Sequence, residues 1–312
     1  MSVDQPKVFG VVVNWNGGPA NLDCLAALIA AGVSAERILF VDNGSRDDSL
    51  ALVRGQFPEA QILVNPTNLG FGAAANQGAR LALEQGARFV LFVNNDALVD
   101  SRCVDQLVQE AEQRNGTGLL GPRIVLPGEP ARLWAVGGML GLHANLSALM
   151  GQGEPDGPTW QKTKRVDYVP GCVLLARREC LEQIGLFDEG YFAYTEDVDL
   201  GVRGEAGGWE NCLVGNARAV HRASSATGGG YNPRRKFLMG LGSVRFLRAH
   251  GNVTAWAGFW ILDVALLPMV WLLALPRGQG RAVCAKGLGI LYGLLGKPLD
   301  PSKLEEGQGL FW

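Results

Sequence analysis

The sequence predicts an α/β fold with a mostly parallel, doubly wound sheet, followed by an apolar helical segment. Three observations predict this fold. Short apolar runs rich in β-branched and aromatic residues, typical of strands buried on both faces, alternate with stretches of helical periodicity. Three of the first four runs end directly in polar residues. The segment after residue 250 is apolar and basic.

The elements follow in order along the chain. We expect strands at residues 8–13, 38–41, 62–64 and 89–93. Leucine and isoleucine spacing predicts a helix over residues 21–31, and Ser45 followed by Asp48 resembles a capping box for the next helix. Further helices are predicted at residues 101–114, 178–184 and from 196 onward. Between Gly121 and Trp160 the sequence is rich in glycine and proline and too irregular for strand assignment.

Length and composition limit the class of protein. The 312 residues suffice for one large α/β domain with an appendage, and 47% apolar with 19% charged residues excludes a disordered chain. The formal net charge of −2 divides into −8 over the first 230 residues and +6 from Tyr231 onward. An acidic first part needs cations to hold phosphates, whereas a basic, apolar end suits an anionic membrane surface. We expect no nucleic-acid partner.

Cysteine usage and the first residues indicate the compartment. The six cysteines include no CxxC pair, so we expect reduced thiols in a cytosolic protein and no zinc site. The first residues lack an apolar core, so we expect no secretory signal.

Polar residues gather where the predicted strands end. The fourth strand runs into Asn94, Asn95 and Asp96. Asp96 is a hard oxygen ligand that suits Mg²⁺ or Mn²⁺ held jointly with substrate phosphates; the alternative is a turn that caps the next helix. The first two strands likewise end in Asn14 and Asn16, and in Asp42 and Asn43. Because the carboxyl ends of parallel strands meet at one edge of a sheet, where α/β proteins bind ligands, we favour a ligand site there.

A glycine motif follows the third strand. Gly70, Gly72 and Ala75 fit the pattern G-x-G-x-x-A of dinucleotide-binding proteins. The match is weak, because it follows the third strand after a polar loop rather than the first strand. The glycines would instead let a helix N-terminus approach a diphosphate, or serve helix packing alone.

A second informative stretch combines aromatic and acidic residues. Thr195 is a candidate N-cap, which places Glu196, Asp197 and Asp199 in the first helical turn, where dipole complementarity alone explains acids. Four aromatic residues immediately upstream favour a site. Because adjacent helical positions point about 100° apart, Asp197 and Asp199 cannot both face one ligand, and periodicity does not choose between them. His221 is either a structural residue or a further metal-binding or phosphate-facing group.

Together these motifs resemble those of family 2 inverting glycosyltransferases, in particular the bacterial rhamnosyltransferase-like branch, with galactofuranosyltransferases as relatives. The matching motifs, over roughly residues 7–250, are Val11-Val-Val-Asn-Trp-Asn-Gly17, Val41-Asp-Asn-Gly-Ser45, Asn65-Pro-Thr-Asn-Leu-Gly-Phe-Gly72, Asn94-Asn-Asp-Ala97, Pro170-Gly-Cys172, Phe187-Asp-Glu189, Thr195-Glu-Asp-Val-Asp-Leu200 and His221. The resemblance implies a GT-A fold, which is Rossmann-like. It further implies a nucleotide-sugar-binding half at residues 1–120, an acceptor-binding and catalytic half at 121–250, and a membrane-associating segment at 251–312.

The resemblance also implies roles for individual residues. Asp96 matches the metal-binding position of a D-x-D motif, with His221 as the second protein ligand to Mg²⁺ or Mn²⁺. Glu196 and Asp197 match the acidic catalytic pair, and Asp197 resembles the general base. Asp42 resembles the carboxylate that hydrogen-bonds the base of the donor. The residues assigned to nucleotide-sugar binding are Asn14, Trp15, Asn16, Asp42, Asn43, Gly70, Gly72, Asn76, Asn94, Asn95 and Gly171.

The sequence departs from the family pattern at two places. Asn94 stands where the fuller D-x-D motif has its first acid, so the metal site has one charge fewer. Leu241-Gly242-Ser243 stand where many relatives carry Arg-Asn, so acceptor or membrane contacts are expected to differ there.

The implied reaction is a metal-dependent, inverting transfer of a sugar, with rhamnose a candidate, from a dTDP-, UDP- or GDP-linked donor. The acceptor would be a hydroxyl of a glycan or a lipid-linked acceptor in cell-surface polysaccharide synthesis. A sugar nucleotidyltransferase is an alternative, but the segment after the first strand, Asn14-Trp-Asn-Gly-Gly18, lacks the basic residue expected of it. A dehydrogenase and a catalytically inactive sugar-nucleotide-binding module are further alternatives.

The segment at 254–275 is long enough to cross a bilayer, which takes about 20 residues. Asp263 and Pro268 lie inside it and disfavour a span, because an acid at the bilayer centre costs roughly 2.5 kcal/mol or more. Its tryptophans and the cations that follow favour helices that lie in the membrane interface. A span, or burial against the catalytic domain, stays open. We expect a cytoplasmic protein that associates peripherally with the inner face of the cell membrane.

Overall fold

The computed structural model describes residues 7–143, 145–222, 231–304 and 309–311. Its strands are β1 Val8–Asn14, β2 Ile38–Asp42, β3 Gln61–Val64, β4 Phe89–Asn94, β5 Ala97–Val99, β6 Thr117–Val125, β7 Leu133–Ala135, β8 Gly138–Leu140, β9 Ser147–Leu149, β10 Lys164–Arg165, β11 Val173–Arg177 and β12 Glu210–His221. Its α-helices are α1 Ala20–Ala30, α2 Ser49–Gln56, α3 Phe71–Glu84, α4 Cys103–Gln113, α5 Arg178–Ile184, α6 Glu196–Ala206, α7 Pro233–His250, α8 Val253–Phe259, α9 Leu267–Ala274 and α10 Gly280–Leu295. A π-helical segment, Trp260–Ala265, connects α8 to α9.

The central sheet confirms the predicted α/β architecture. Its strand order is β10-β12-β6-β11-β4-β1-β2-β3, with β5 beside β12 and β7 beside β6. From β4 to β3 every pair is parallel, as predicted. Beyond β4 the sheet is mixed rather than mostly parallel, because β11 enters antiparallel between β4 and β6. The start of β11 therefore lies beside the carboxyl end of β4, where Val173 pairs with Val93.

Helices cover both faces of the sheet, and the strands supply alternate residues to each face. Val8 and Val12 of β1 pack in the core beneath α1, α2 and α4, whereas Phe9 and Val11 pack in the core beneath α3, α5 and α6. All five residues of β2 are buried. This burial on both faces explains why the strands read as continuous apolar runs rather than alternating ones.

Two local expectations were wrong. Residues 117–125, expected to be partly irregular, form the fully buried strand β6. A glycine, a proline and an arginine interrupt its apolar pattern and concealed the strand in the sequence. The arginine, Arg123, can be buried because it pairs with Asp156 at 2.7 Å. Ser45 does not cap α2; its hydroxyl accepts hydrogen bonds from the side chain of Asn14 and the backbone N–H of Asn16 instead. The prediction for α6 is confirmed: Thr195 is its N-cap residue and the three acids lie in its first turn, although the Thr195 side chain makes no capping bond.

The C-terminal segment packs against helix α7, because its helix α10 lies along α7. The carboxylate of Asp263, which is fully buried in the π-helical segment, forms an ion pair with Lys286 of α10 and accepts a hydrogen bond from the backbone N–H of Asn145 at 3.1 Å. The counter-charge of Lys286 offsets part of the free-energy cost of burying the Asp263 carboxylate in this apolar stretch.

The same segment keeps an exposed apolar face. Val253–Arg277 is, by length and composition, long and apolar enough to cross a membrane, although the π-helical segment divides it. Its exposed side chains include Ile261, Leu272 and Leu273, each more than half exposed. The segment thus combines burial on one side with an apolar surface on the other.

We expect Lys286→Met to lower the free energy of unfolding by about 3–5 kcal/mol, because it leaves the carboxylate of Asp263 buried without its counter-charge. The double variant Asp263→Asn/Lys286→Met removes both charges and keeps an acceptor for the Asn145 N–H, so it should recover most of the loss. Urea unfolding followed by circular dichroism measures both. A Lys286→Met protein as stable as the wild type would show that the pair is not buried in solution.

Candidate active site

The ends of β1, β2 and β4 meet in one hydrogen-bonded network centred on Asn14, which is fully buried. Its amide nitrogen donates to Oδ1 of Asp42 at 2.7 Å and to Oγ of Ser45 at 2.9 Å. Its amide oxygen accepts from Nδ2 of Asn95 at 2.8 Å and from the N–H of Gly17 at 3.1 Å. The structure therefore brings together the polar residues that the sequence places at three strand ends.

The turn after β1 is fitted closely to this network. A Cβ added to Gly17 would lie 2.0 Å from Nδ2 of Asn95, so only glycine leaves room for that amide. Asn16 adopts a left-handed backbone (φ 53°), and its Oδ1 accepts from the N–H of Arg46 at 2.8 Å. Trp15, which precedes Asn16 in this turn, is half-buried. The turn is thus pinned to the loop after β2.

Asn43 organises the loop that leads to α3. Its Oδ1 accepts from Nδ2 of Asn65 at 3.1 Å and from the N–H of Leu69 at 3.0 Å, and its Nδ2 donates to the carbonyl of Gly70 at 3.1 Å. Every side-chain group of this buried asparagine is engaged within the protein. Its position fixes the loop, and any contact to a ligand would be made through the backbone that it holds.

Gly70, the first glycine of the motif, packs closely against the backbone of Phe192. Gly70 has a φ of +89°, and a Cβ there would lie 2.5 Å from the carbonyl oxygen of Phe192. That oxygen accepts from the N–H of Phe71 at 2.7 Å. At Gly72 a Cβ would meet only ordinary contacts, the nearest at 3.4 Å from Phe187. The packing alternative accounts for Gly70, and approach of a diphosphate to this helix start stays a prediction.

Asn76 connects α3 to the segment before α6. Its Nδ2 donates to the carbonyl of Phe187 at 2.9 Å and to Glu189 at 3.0 Å, and its Oδ1 accepts from the N–H of Phe187 at 3.0 Å. Both of its side-chain protons are therefore used within the protein. Asn76 thus links α3 to the segment at 187–189. Its predicted contact with a diphosphate stays a prediction.

Asp96 and His221 face each other across 125 positions of sequence. Oδ1 of Asp96 lies 3.0 Å from Nε2 of His221, and both side chains are buried. The antiparallel pairing of β12 with β5 sets this contact, because His221 pairs with Ala97. The ring of Trp134 packs edge-on against the imidazole at 4.6 Å.

The pair fits a divalent metal that is also bound by substrate. Nδ1 of His221 is buried without a hydrogen-bond partner among the described residues. No group of three or more metal-binding side chains is found within the described ranges. Asp96 and His221 would therefore supply two ligands, and substrate phosphates or water the others, as is usual for Mg²⁺ and suitable for Mn²⁺.

Asp197 reaches the same edge of the sheet through Gly171. Its Oδ2 accepts from the N–H of Gly171 at 2.9 Å and its Oδ1 from the N–H of Val198 at 2.9 Å. Burial raises the pKa of Asp197, and these two N–H groups oppose the rise. Burial also raises the pKa of the Cys172 thiol, and the carboxylates of Asp197 and then Asp96 add to it. The hydrogen bonds agree, because the N–H of Asn94 donates to the carbonyl of Cys172 at 2.9 Å and the adjacent Gly171 donates to Asp197.

The neighbouring acids differ from Asp197. Glu196 is buried, its Oε2 has no hydrogen-bond partner among the described residues, and its pKa rises to about 8 because of burial and then the charges of Asp197 and Asp199. Asp199 is held inside the fold by Arg203 at 2.8 Å and by Nε2 of His250 at 2.7 Å. The geometry thus resolves the choice that periodicity left open: Asp197, not Asp199, lies at the edge of the sheet.

The backbone is strained immediately before these acids. Tyr194 and Thr195 both adopt left-handed conformations, with φ of 69° and 75°. A β-branched residue rarely occupies this region, and such outliers cluster at functional sites. A Cβ on Gly242 of α7 would lie 2.9 Å from Oγ1 of Thr195, so α7 presses against this bend.

Sequence reasoning missed several residues of the site. It assigned Ser45 to a helix cap, whereas the hydroxyl belongs to the Asn14 network. It assigned Gly171 to the nucleotide sugar and missed that its N–H donates to Asp197; the contact with the nucleotide sugar stays a prediction. His250, more than fifty residues beyond its partner Asp199, gave no local signal at all, because only the tertiary fold brings them together.

Comparisons with known proteins identify the class. The family model described as Glycosyl transferase family 2 matches residues 11–184. The chain therefore belongs to glycosyltransferase family 2 and is a glycosyltransferase. It is 30% identical, over 236 residues, to the N-acetylglucosaminyl-diphospho-decaprenol L-rhamnosyltransferase of Mycobacterium tuberculosis, covering 70% of this chain and 76% of the relative.

Solved structures confirm the GT-A fold. GalNAc-T7 with UDP, GalNAc and Mn²⁺ aligns with a TM-score of 0.61 at 14% identity over 79% of this chain, which spans about half (48%) of that chain. The mannosyltransferase PcManGT of Pyrobaculum calidifontis, in complex with GDP-Man and Mn²⁺, aligns with a TM-score of 0.55 at 16% identity over 95% of this chain and 89% of that one. The predicted family, fold class and enzyme class are confirmed, which removes support from the nucleotidyltransferase and dehydrogenase alternatives.

The raised pKa of Glu196 predicts how stability depends on pH. Its ordinary pKa of 4.5 applies to the unfolded chain, whereas the folded value is about 8. Between these values the unfolded chain loses the proton that the folded chain keeps, so wild-type stability falls as pH rises. Glu196→Gln cannot ionise. Its stability relative to wild type should rise by about 1.4 kcal/mol per pH unit from about pH 5 to pH 8.

Urea unfolding at a series of pH values measures this difference. Glu205→Gln, on the same helix but in an exposed pair with Arg165, is the matched control and should show no such trend. Parallel stability curves for wild type and Glu196→Gln would contradict the burial of this carboxyl.

Proposed function

We propose that the chain is a metal-dependent inverting glycosyltransferase that moves a sugar from a nucleoside-diphosphate sugar to a hydroxyl of a lipid-linked acceptor in cell-surface polysaccharide synthesis. One observation carries the proposal. The Asp96–His221 pair follows the carboxyl end of β4, and this end of β4 bonds to the turn before β11. The N–H of Asn94 donates to the carbonyl of Cys172, and the adjacent Gly171 donates to Asp197. This proximity supports a site in which a phosphate-binding cation and a general base would act together.

The donor would bind across the first half of the domain, residues 1–120. Asp42 would receive a hydrogen bond from the base, beside Asn14 and the half-buried ring of Trp15. The loop fixed by Asn43, which contains Gly70, would lie along the diphosphate. Donors linked to dTDP, UDP and GDP are all consistent with this arrangement. The M. tuberculosis relative is an L-rhamnosyltransferase by name, which favours rhamnose as the transferred sugar.

Asp96 and His221 would hold Mg²⁺ or Mn²⁺. When bound, the cation offsets the charge that develops on the leaving diphosphate. The presence of Mn²⁺ in the GalNAc-T7 and PcManGT structures supports this cofactor. Asn94, in place of an acid, leaves the protein with one negative charge at this position, so we expect the affinity for the metal to depend on the donor diphosphate.

Asp197 would act as the general base in residues 121–250, the acceptor half. It would remove the proton from the acceptor hydroxyl, whose oxygen attacks the anomeric carbon opposite the leaving diphosphate, so that one displacement inverts the configuration. Burial raises its pKa, which makes the carboxylate a stronger base. Glu196 keeps its proton at neutral pH and so spares Asp197 the repulsion of a second charge.

The C-terminal segment, residues 251–312, would place the enzyme on the inner face of the cell membrane. Its exposed apolar side chains, Ile261, Leu272 and Leu273, would enter the membrane interface, with Arg277 and Arg281 near anionic headgroups. The name of the M. tuberculosis relative includes a lipid-linked acceptor, N-acetylglucosaminyl-diphospho-decaprenol, which supports such a substrate.

Two substitutions separate the metal role from the base role. We expect Asp96→Asn to weaken Mn²⁺-dependent binding of the preferred nucleoside diphosphate by tenfold or more, because it removes the only carboxylate of the pair. Asp197→Asn should leave that binding within about twofold but lower turnover by about 10²–10⁴, the usual contribution of a general base.

Calorimetry with UDP, GDP and dTDP, with and without Mn²⁺, measures binding. Release of nucleoside diphosphate from the sugar nucleotide so selected, in the presence of a bacterial lipid extract, measures turnover. Glu205→Gln serves as the surface control. Equal Mn²⁺-dependent binding by wild type and Asp96→Asn, or full turnover by Asp197→Asn, would overturn the respective assignment.

A further inference from the structure

A cavity of about 580 Å³ lies outside the residues assigned to the donor. Its walls are the segment at 188–194, helix α7, helix α10 and the residues that follow α10. The segment at 188–194 separates it from the donor half, because the carbonyl of Phe192 contacts Gly70 and accepts from the N–H of Phe71. The cavity falls within the usual size range of small-molecule sites.

The cavity carries an excess of positive charge. Its charged lining residues are Asp188, Arg245, Arg248 and Lys297. Arg245 is neutralised by a two-point ion pair with Asp188, both bonds at 2.8 Å. Arg248 donates to the carbonyl of Leu294 at 3.0 Å, and the Nζ of Lys297 lies 5.3 Å from the ring centre of Tyr292. Within the described part of the chain, neither Arg248 nor Lys297 forms an ion pair, so both cations could bind an anion in the cavity.

Helix α10 joins this cationic cavity to an apolar surface. Tyr292 and Gly293 line the cavity, whereas Leu291 and Leu295 of the same helix are 49% and 59% exposed. An anionic group in the cavity could therefore continue into an apolar chain lying over those leucines. A free phosphate would have no use for this second surface.

The cavity also borders the strained bend that precedes the proposed base. Tyr194 and Gly242 line it, and the neighbour of Tyr194, Thr195, packs against Gly242. Glu196 and Asp197 follow directly in the chain. A molecule anchored in the cavity is thus held beside the strained bend that positions the acidic pair.

We propose that this cavity binds the phosphate or diphosphate of the lipid-linked acceptor, with Arg248 and Lys297 as the phosphate-binding cations and the lipid lying over Leu291 and Leu295. This inference rests on the proposed function, whose acceptor it locates. It assigns to the C-terminal segment a substrate-binding role in addition to membrane association. Charge-assisted hydrogen bonds from arginine and lysine to phosphate are among the stronger polar contacts in proteins.

The test uses the full chain and farnesyl diphosphate, a short prenyl diphosphate, as the probe. Calorimetry is done in EDTA, so that no metal recruits the probe to the donor site. We expect Arg248→Gln/Lys297→Gln to weaken its binding by at least tenfold. Arg54→Gln, an exposed cation of α2 outside the cavity and the C-terminal segment, is the control and should leave binding unchanged. Farnesol, which lacks the phosphates, should bind at least tenfold more weakly than the diphosphate.

Parallel measurements separate this inference from the proposed function. Mn²⁺-dependent nucleotide binding should be the same in wild type and the double variant, since neither cation lies at the donor site. Intact nucleotide binding with no farnesyl diphosphate binding by the wild type, or with equal binding by the double variant, overturns the cavity assignment alone. Inorganic pyrophosphate binding as tightly as farnesyl diphosphate would overturn the lipid-linked source.

Discussion

The antiparallel pairing of β11 with β4 is the contact on which the rest of the site depends. The carbonyl of Cys172 accepts from the N–H of Asn94, so the turn before β11 lies against the end of β4. Gly171, in that turn, donates to Asp197. One strand pair thereby joins the polar residues of the parallel half to the acidic pair of the second half. Without this strand pair, the Asp96–His221 pair and Asp197 would lie in separate parts of the fold.

Electrostatics gives the acids of α6 different states. Desolvation acts on Glu196 and Asp197 alike, but two N–H donors stabilise the carboxylate of Asp197, whereas Oε2 of Glu196 has no partner within the described residues. Asp199 is stabilised by Arg203 and His250. The three acids therefore differ in state: Asp197 is a carboxylate stabilised by N–H donors, Glu196 keeps its proton at neutral pH, and Asp199 forms a buried ion pair. The strained backbone at Tyr194 and Thr195 fixes the start of the helix that carries them.

The sequence was informative where structure is local or follows from parallel-sheet geometry. Strands buried on both faces produce continuous apolar runs, and parallel strands must end at one edge, so the grouping of Asn14, Asp42 and Asn95 followed from pattern alone. It was uninformative where contacts span long separations. Neither the position of β11 nor the pairing of Asp263 with Lys286 leaves a periodic signal. The protonation of Glu196 depends on burial, which the tertiary fold alone determines, and periodicity left the choice between Asp197 and Asp199 open for the same reason.

The central claim is that Asp96 and His221 hold the cation that binds the donor diphosphate, with Asp197 free for the acceptor. A crystal structure of the full chain with Mn²⁺ and the nucleoside diphosphate that binds most tightly tests it directly, through the anomalous scattering of manganese. We expect one manganese peak, ligated by a carboxylate oxygen of Asp96, a ring nitrogen of His221 and the diphosphate, with Asp197 not coordinated. Manganese bound instead by Glu196 or Asp197, or a nucleotide seated away from Asp42, would contradict it.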